Sequence, residues 1–570
     1  MLFTSMFHLF YSKLKVDVHF IPIISFSSII ILLFFAGILN ILFVTTFLLN
    51  SVLLVYLLHI VKTKRWNRDF LTVGFFFTAI LLVVFAALFK GTILTAYDDF
   101  SHWGLMAREI IQNDQLPNFE TPFLMFKSYP PGSALFLYYI SKIMGYSEGI
   151  LFFGQAILLL SGILPFFALV KGNKRFKYTL IIISTLFLFT VNNHLFMLSV
   201  DTLLTVLSIG AAVLLVHLYS SNELYKTPIL LTPILSTIMI IKNSGILFVL
   251  ISLFIYMVLS HKADTFRQLN KLKSLVLLSP FLISFLWGKH VDMVYANGLT
   301  SKHSFSVDNY RNVFGDKSIG DLKMILGGLA ERMVNVSARD VKIFLAILVT
   351  FLLIHHYKRI SKASTTAFSI ELKLIALSLA LYLVYQVSLG GMYVFSMPTN
   401  EALNLAGFRR YNMTIISYIY GMLLIHILQT PFQTNGLYSR FIYGYLIVLV
   451  SAFIFTPEIN NITRFTSNRI QNEEIRSEIL AAKGQQYIPA NADIFLYYSD
   501  TTNISNKVDY LRYVARFDFG TRNFTLINSS SVQTVINTET DYYIIFVDQD
   551  EIYHELSSRA TLDNRILYVN

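Results

Sequence analysis

Not one of the 570 residues is a cysteine, which removes disulfides, thiolate nucleophiles and cysteine-ligated metals from consideration. Charge is scarce as well. Charged residues make up 14% of the chain against 55% apolar, and the mean hydropathy is +0.59. A soluble core cannot absorb that much apolar surface, so the chain needs lipid as its solvent. No phosphate-cradling glycine loop, nucleophile elbow or zinc motif is present, which argues against an ATP-driven pump and a membrane protease. The net charge of +11 does not point to nucleic acid, because the basic residues fall in short clusters between apolar runs.

What is there is a succession of such runs, near 19–39, 41–61, 70–90, 149–170, 178–196, 202–219, 228–241, 244–260, 274–290, 341–357, 370–395, 412–428 and 440–456. They predict an all-α polytopic membrane protein of about thirteen transmembrane helices. Lys62, Lys64, Arg65 and Arg68 follow span two, Lys171, Lys174, Arg175 and Lys177 span four, and Lys262, Arg267, Lys271 and Lys273 span eight, with Lys358, Arg359 and Lys362 after span ten. All are even-numbered exits, and the positive-inside rule makes their side cytoplasmic. A multi-pass plasma-membrane protein is expected, with loops 91–148, 197–201, 291–340 and 396–411 and the tail after 457 outside. That tail has apolar runs of strand length at Ile494–Tyr498, Tyr513–Phe517, Phe524–Ile527, Tyr542–Val547 and Ile566–Val569, after a helical stretch at Ile470–Ala482. They predict a small extracytoplasmic α/β domain.

The loop after span three reads Tyr97-Asp98-Asp99-Phe100-Ser101-His102-Trp103-Gly104. Two adjacent carboxylates at the mouth of a membrane helix repel each other and need a metal, a cation or a shared proton. Asp98 and Asp99 are therefore candidates for general-base work or for holding a divalent metal such as Mg or Mn, and His102 is a candidate substrate ligand. The competing reading is that one aspartate caps an interfacial helix over Phe100–Ile111, anchored in the headgroups by Trp103. Further on, Tyr129-Pro130-Pro131-Gly132 predicts a fixed turn whose glycine permits a close approach, leading into a second interfacial helix, Ala134–Met144.

Five other residues suit binding. Asp201 opens span six, where it either caps the helix or serves the site. Lys242 lies in Lys242-Asn243-Ser244-Gly245 and either holds a phosphate or snorkels. Arg409 and Arg410 stand just before span twelve on the side where positive charge is disfavoured. They suit phosphate oxygens, with Tyr411 packing on a sugar or prenyl unit; the alternative partners are Glu401 or lipid headgroups.

The stretch Tyr97–Gly132, with its acidic pair and Tyr-Pro-Pro-Gly return, resembles the GT-C superfamily of membrane glycosyltransferases, which includes the protein mannosyltransferases and the aminoarabinose transferases of lipid A. The resemblance extends loosely over 70–456. It implies two extra spans within 1–69 and a catalytic core at 70–456 with its outer loop at 91–148, ahead of the α/β domain that the apolar runs of the tail predict at 457–570. This chain has Asp-Asp where many members have Asp-Glu, and its acidic loop follows the third span instead of the first. The resemblance implies an inverting transfer from a polyprenyl-phosphate sugar to a cell-envelope glycan, teichoic acid or lipid-linked saccharide, with a loop carboxylate as base. It also implies a cation or metal at the leaving phosphate, and a second acidic residue such as Asp201 at the outer end of a later span. A transporter or flippase of lipid-linked saccharides, or a non-catalytic envelope assembly protein, are the competing classes; the first would carry ionisable residues in mid-span.

Overall fold

A computed structural model describes residues 15–63, 69–118, 124, 126–170, 174–190, 194–263, 275–295, 307–360, 369–430, 444–445, 476–477, 479–480, 489, 492–499, 508–520, 524–538, 542–547, 550–559 and 566–569. The chain is a polytopic helical membrane protein with a small α/β unit at its C-terminal end. Among the described residues nine helices are long and apolar enough to span a bilayer: Val18–Ile38, Leu42–Lys62, Glu148–Leu169, Asp201–Ser220, Leu224–Ile241, Gly245–Lys262, Arg339–Ile360, Ile370–Phe395 and Phe408–Gln429. Shorter helices at Val73–Leu88, Lys174–Thr190 and Ser279–Val294 occupy three more of the thirteen expected spans. The run at 440–456 lies almost wholly outside the described residues.

Burial sorts these helices. Phe408–Gln429, Glu148–Leu169 and Asp201–Ser220 form the centre of the bundle, whereas Leu42–Lys62 exposes most of its side chains, as a lipid-facing helix does. Close packing at the centre depends on small residues. A Cβ on Gly162 would stand 2.9 Å from the carbonyl oxygen of Val206, so two central helices touch backbone to backbone there.

The loop between Val73–Leu88 and Glu148–Leu169 holds two helices, Gly104–Asn113 and Gly132–Met144. Both were expected, but they are not peripheral. Trp103 is 7% exposed and packs against Tyr129, so it is a core residue of the loop and not a headgroup anchor. Gly132 makes the expected close approach: a Cβ there would lie 2.6 Å from the Ile240 carbonyl oxygen.

In the C-terminal unit, β1 (Asp493–Tyr497), β2 (Phe524–Ile527), β3 (Tyr542–Phe546) and β4 (Ile566–Val569) form one sheet in the order β2-β1-β3-β4. β1 runs parallel to β2 and β3, and β4 is antiparallel to β3. Tyr497, Ile544 and Phe546 point to helices Val532–Thr538 and Glu551–Arg559, while Ile494, Leu496 and Ile545 belong to the apolar cluster that continues into the membrane bundle. Tyr513–Phe517, expected as a strand, is instead the end of helix Val508–Phe519. Its buried residues Tyr510, Leu511, Val514, Ala515 and Asp518 recur at three- and four-residue spacing, a helical period that a five-residue window hides. Of the helix expected at Ile470–Ala482, only residues 476–477 and 479–480 are described, and these are helical.

Candidate functional site

The chain enters the acidic loop through one wide turn, Asp99–Trp103, in which the Gly104 N–H reaches back five residues to the Asp99 carbonyl. Such widened turns recur at functional sites because they reorient consecutive side chains. Gly104 is required here, since a Cβ would meet that carbonyl oxygen at 2.9 Å and the Leu94 side chain at 2.7 Å.

The turn sends the two aspartates apart. Asp98 precedes it, makes no capping bond, and its carboxylate is 28% exposed and paired with the Arg410 guanidinium. Asp99 is fully buried. One of its carboxylate oxygens accepts the Leu198 N–H at 2.8 Å and the other has no hydrogen-bond partner. Burial is the largest cause holding Asp99 well above the usual carboxylate range, against the Leu198 bond and with the charges of Asp98 and Glu148 adding to the rise. The capping reading therefore fails for Asp98, and the two carboxylates meet different partners. Asp98 faces an arginine and Asp99 a backbone amide. Among the described residues no group of three His, Asp or Glu side chains could hold a metal.

Arg410 collects the remaining candidates. Its Nε lies 3.3 Å from Asp201 Oδ2, and Lys242 Nζ donates to Asp201 Oδ1 at 2.5 Å. Lys242 also sits 4.9 Å from the centre of the Tyr411 ring. Asp201 is the first residue of its helix, and its carboxylate pairs with both cations. Four elements distant in sequence thus bring Asp98, Asp201, Lys242, Arg410 and Tyr411 together, two negative and two positive charges. Arg409, one residue earlier on the same helix, is exposed.

His102 is buried in an aromatic nest of Trp103, Phe126 and Tyr129, with ring centres 4.5, 5.7 and 4.9 Å away and no hydrogen bond at either nitrogen. Burial lowers its pKa to about 3, so it is neutral at physiological pH. It supports Tyr129 from behind and does not stand in the charged cluster.

Beside the cluster lies an apolar cleft of about 420 Å³ between Gly245–Lys262 and Ile370–Phe395. Lys242, Tyr411 and Tyr129 form its polar end, and Leu247, Leu389 and Phe395 are among its apolar walls. Cation and cleft adjoin, as an amphiphilic ligand requires.

Sequence reasoning missed the device that supports Arg410. Asn412, two residues on, donates to Asp340 Oδ2 at 2.5 Å and accepts from Gln386 Nε2 at 2.6 Å, locking three spans together inside the bundle. The signal was available, because an amide within an apolar span needs a partner.

No family model matches the chain, and no curated protein matches it. Two crystal structures of ArnT from Cupriavidus metallidurans are similar in layout. The one bound to undecaprenyl phosphate is 12% identical, with a TM-score of 0.45, covering 86% of this chain and 96% of that one. The apo structure is 11% identical with a TM-score of 0.36 over the same shares.

Proposed function

We propose that the chain is a membrane glycosyltransferase that moves a sugar from a polyprenyl-phosphate donor to an envelope glycan or lipid-linked acceptor at the face bearing the acidic loop. The observation that carries this reading is the adjacency of an apolar cleft, two cations and a solvent-reachable carboxylate: Leu389 and Phe395, then Lys242 and Arg410, then Asp98. A polyprenyl chain fits the first, its phosphate the second, and an acceptor hydroxyl approaches the third.

In the resting cluster Arg410 is shared between Asp98 and Asp201. An arriving donor phosphate competes for the Arg410 fork and for Lys242, which loosens the hold on Asp98 and leaves it free to accept a proton. The acceptor oxygen attacks the anomeric carbon, its proton passes to Asp98, and the bond from that carbon to the phosphate oxygen breaks. Charge developing on the departing polyprenyl phosphate falls on Arg410 and Lys242. A single displacement of this kind inverts the anomeric configuration. Asp98 is the base of the pair because Asp99 is fully buried, turned to the Leu198 amide, and held by burial well above the usual carboxylate range.

The transporter reading is weaker. Within the nine spans the Asp, Glu, His, Lys and Arg side chains lie towards the helix ends, with none of them at mid-span to carry a substrate or proton across. The test compares envelope glycans of cells with the wild-type gene, with none, and with Asp98→Asn. A sugar that disappears with the gene and with Asp98→Asn supports the enzyme. Glycans identical in all three overturn it.

A further inference from the structure

A single buried side chain, Arg476, ties the C-terminal unit to the acidic loop by five hydrogen bonds, beside the ring contacts of helix Val508–Phe519. It is fully buried, and all five of its N–H donors are used. Nη1 and Nη2 each donate to Glu148 at 2.5 Å, Nε and Nη2 donate to Asp518 at 3.2 and 3.1 Å, and the remaining Nη1 hydrogen goes to the Leu94 carbonyl at 2.8 Å. The guanidinium also lies 4.8 Å from the centre of Phe100 and 5.1 Å from that of Phe517.

Everything held by this side chain flanks the acidic pair. Glu148 accepts the Leu94 N–H at 2.5 Å, so both polar backbone atoms of Leu94 are tied to the Arg476 network. The next carbonyl, Thr95, accepts the Tyr510 hydroxyl at 3.0 Å. Tyr97 meets Tyr513 edge to face at 5.0 Å, and Phe100 meets Phe517 at 5.2 Å. Helix Val508–Phe519 and Arg476 thus hold the chain at 94, 95, 97 and 100, on both sides of Asp98.

We propose that Arg476 is the positioning residue of the site, clamping Leu94–Phe100 to the C-terminal unit so that Asp98 stands at Arg410 and the cleft. This rests on the glycosyltransferase reading above. A buried arginine between two carboxylates gains little over an apolar replacement in stability, because desolvation offsets its attraction. Its five fixed donors supply register, and displacing a reacting group by about 1 Å costs up to about a hundredfold in rate.

The decisive variant is Arg476→Lys, which keeps the charge but cannot span Glu148, Asp518 and Leu94 at once. In the full-length chain in detergent, amide hydrogen exchange over 94–103 should rise at least about tenfold while the spans keep their protection. Binding of undecaprenyl phosphate should change by less than about twofold, since Lys242 and Arg410 are untouched, and the glycan product in cells should fall at least about tenfold. Because the chain has no cysteine of its own, Tyr97→Cys and Tyr513→Cys can be joined by a short bis-maleimide in the Arg476→Lys background. That link should return protection to 94–103. Unchanged exchange over 94–103 overturns the proposal, as does a loss of protection spread evenly over the spans, which makes Arg476 a general stability residue. If wild type itself makes no glycan product, the glycosyltransferase reading fails, and the exchange arm still judges the clamp.

Discussion

Two ends of one helix show what separates a site from a tie. Phe408–Gln429 carries Arg410 near its start and His426 near its end, about 24 Å apart at 1.5 Å per residue. At each end carboxylate meets cation. At the far end Glu371 is 1% exposed and takes Lys358 at 2.6 Å and His426 at 2.9 Å, joining three spans. At the near end Asp98 and Arg410 are 28% and 30% exposed, two carboxylates share two cations, and a cleft adjoins. The far cluster has its carboxylate buried among the spans. The near one has room and charge to exchange partners, which is what binding an anion demands.

Breaking the near cluster at Asp98 should have the largest effect. Asp98→Asn keeps size and neutral hydrogen bonding but cannot take the acceptor's proton, so transfer should fall by about 10²–10⁴-fold, read from the envelope glycan in cells. Next comes Arg410→Ala, which should weaken undecaprenyl phosphate binding by about 1.5–3 kcal/mol, the range for hydrogen bonds to charged groups, as measured by calorimetry. Glu371→Gln is the matched control at the far end. It should lower thermal stability by about 1–3 kcal/mol while leaving that binding unchanged. Equal loss of binding from both ends would erase the distinction between site and tie.

Asp99 sharpens the comparison within the near end. Its pKa is raised on folding, so its contribution to stability is full below the ordinary carboxylate pKa and is lost as pH rises through the higher folded value. Asp99→Asn keeps the acceptor for the Leu198 N–H and removes that titration. The variant should show a flatter stability–pH curve above the usual carboxylate range and lose much less transfer than Asp98→Asn. A transfer loss as large as that of Asp98→Asn would return the base assignment to both aspartates.

The membrane helices were legible because twenty apolar residues in a row have few other fates, and Lys242, Asp201 and Arg410 were legible because charge beside hydrocarbon needs a reason. Their mutual pairing was not. Residues 98, 201, 242 and 410 meet only through the packing of four elements, and no local spacing encodes that. Adjacent aspartates read as a pair, yet one wide turn sends them to different partners. Arg476 escaped notice because an arginine in a polar tail looks solvated until Glu148 and Asp518 are seen around it.

The smallest effect expected is that of Arg409, and it is the most pointed test of the geometry. In the sequence Arg409 and Arg410 are equal candidates for phosphate, since both precede span twelve and both break the charge rule. A helix turns about 100° per residue, so the two cannot face one point. Arg410 turns inward to Asp98 and Asp201, and Arg409 is exposed. An exposed guanidinium is screened by water and salt, and its pairings contribute up to about 1 kcal/mol. Arg409→Ala should therefore weaken undecaprenyl phosphate binding by less than about 1 kcal/mol, and this small loss should shrink as salt is raised. The Arg410→Ala loss should persist at high salt, because its partners are partly buried. Calorimetric titrations of both variants at low and high salt measure this, and equal losses with equal salt dependence would mean that the inward turn of Arg410 is not what binds the phosphate.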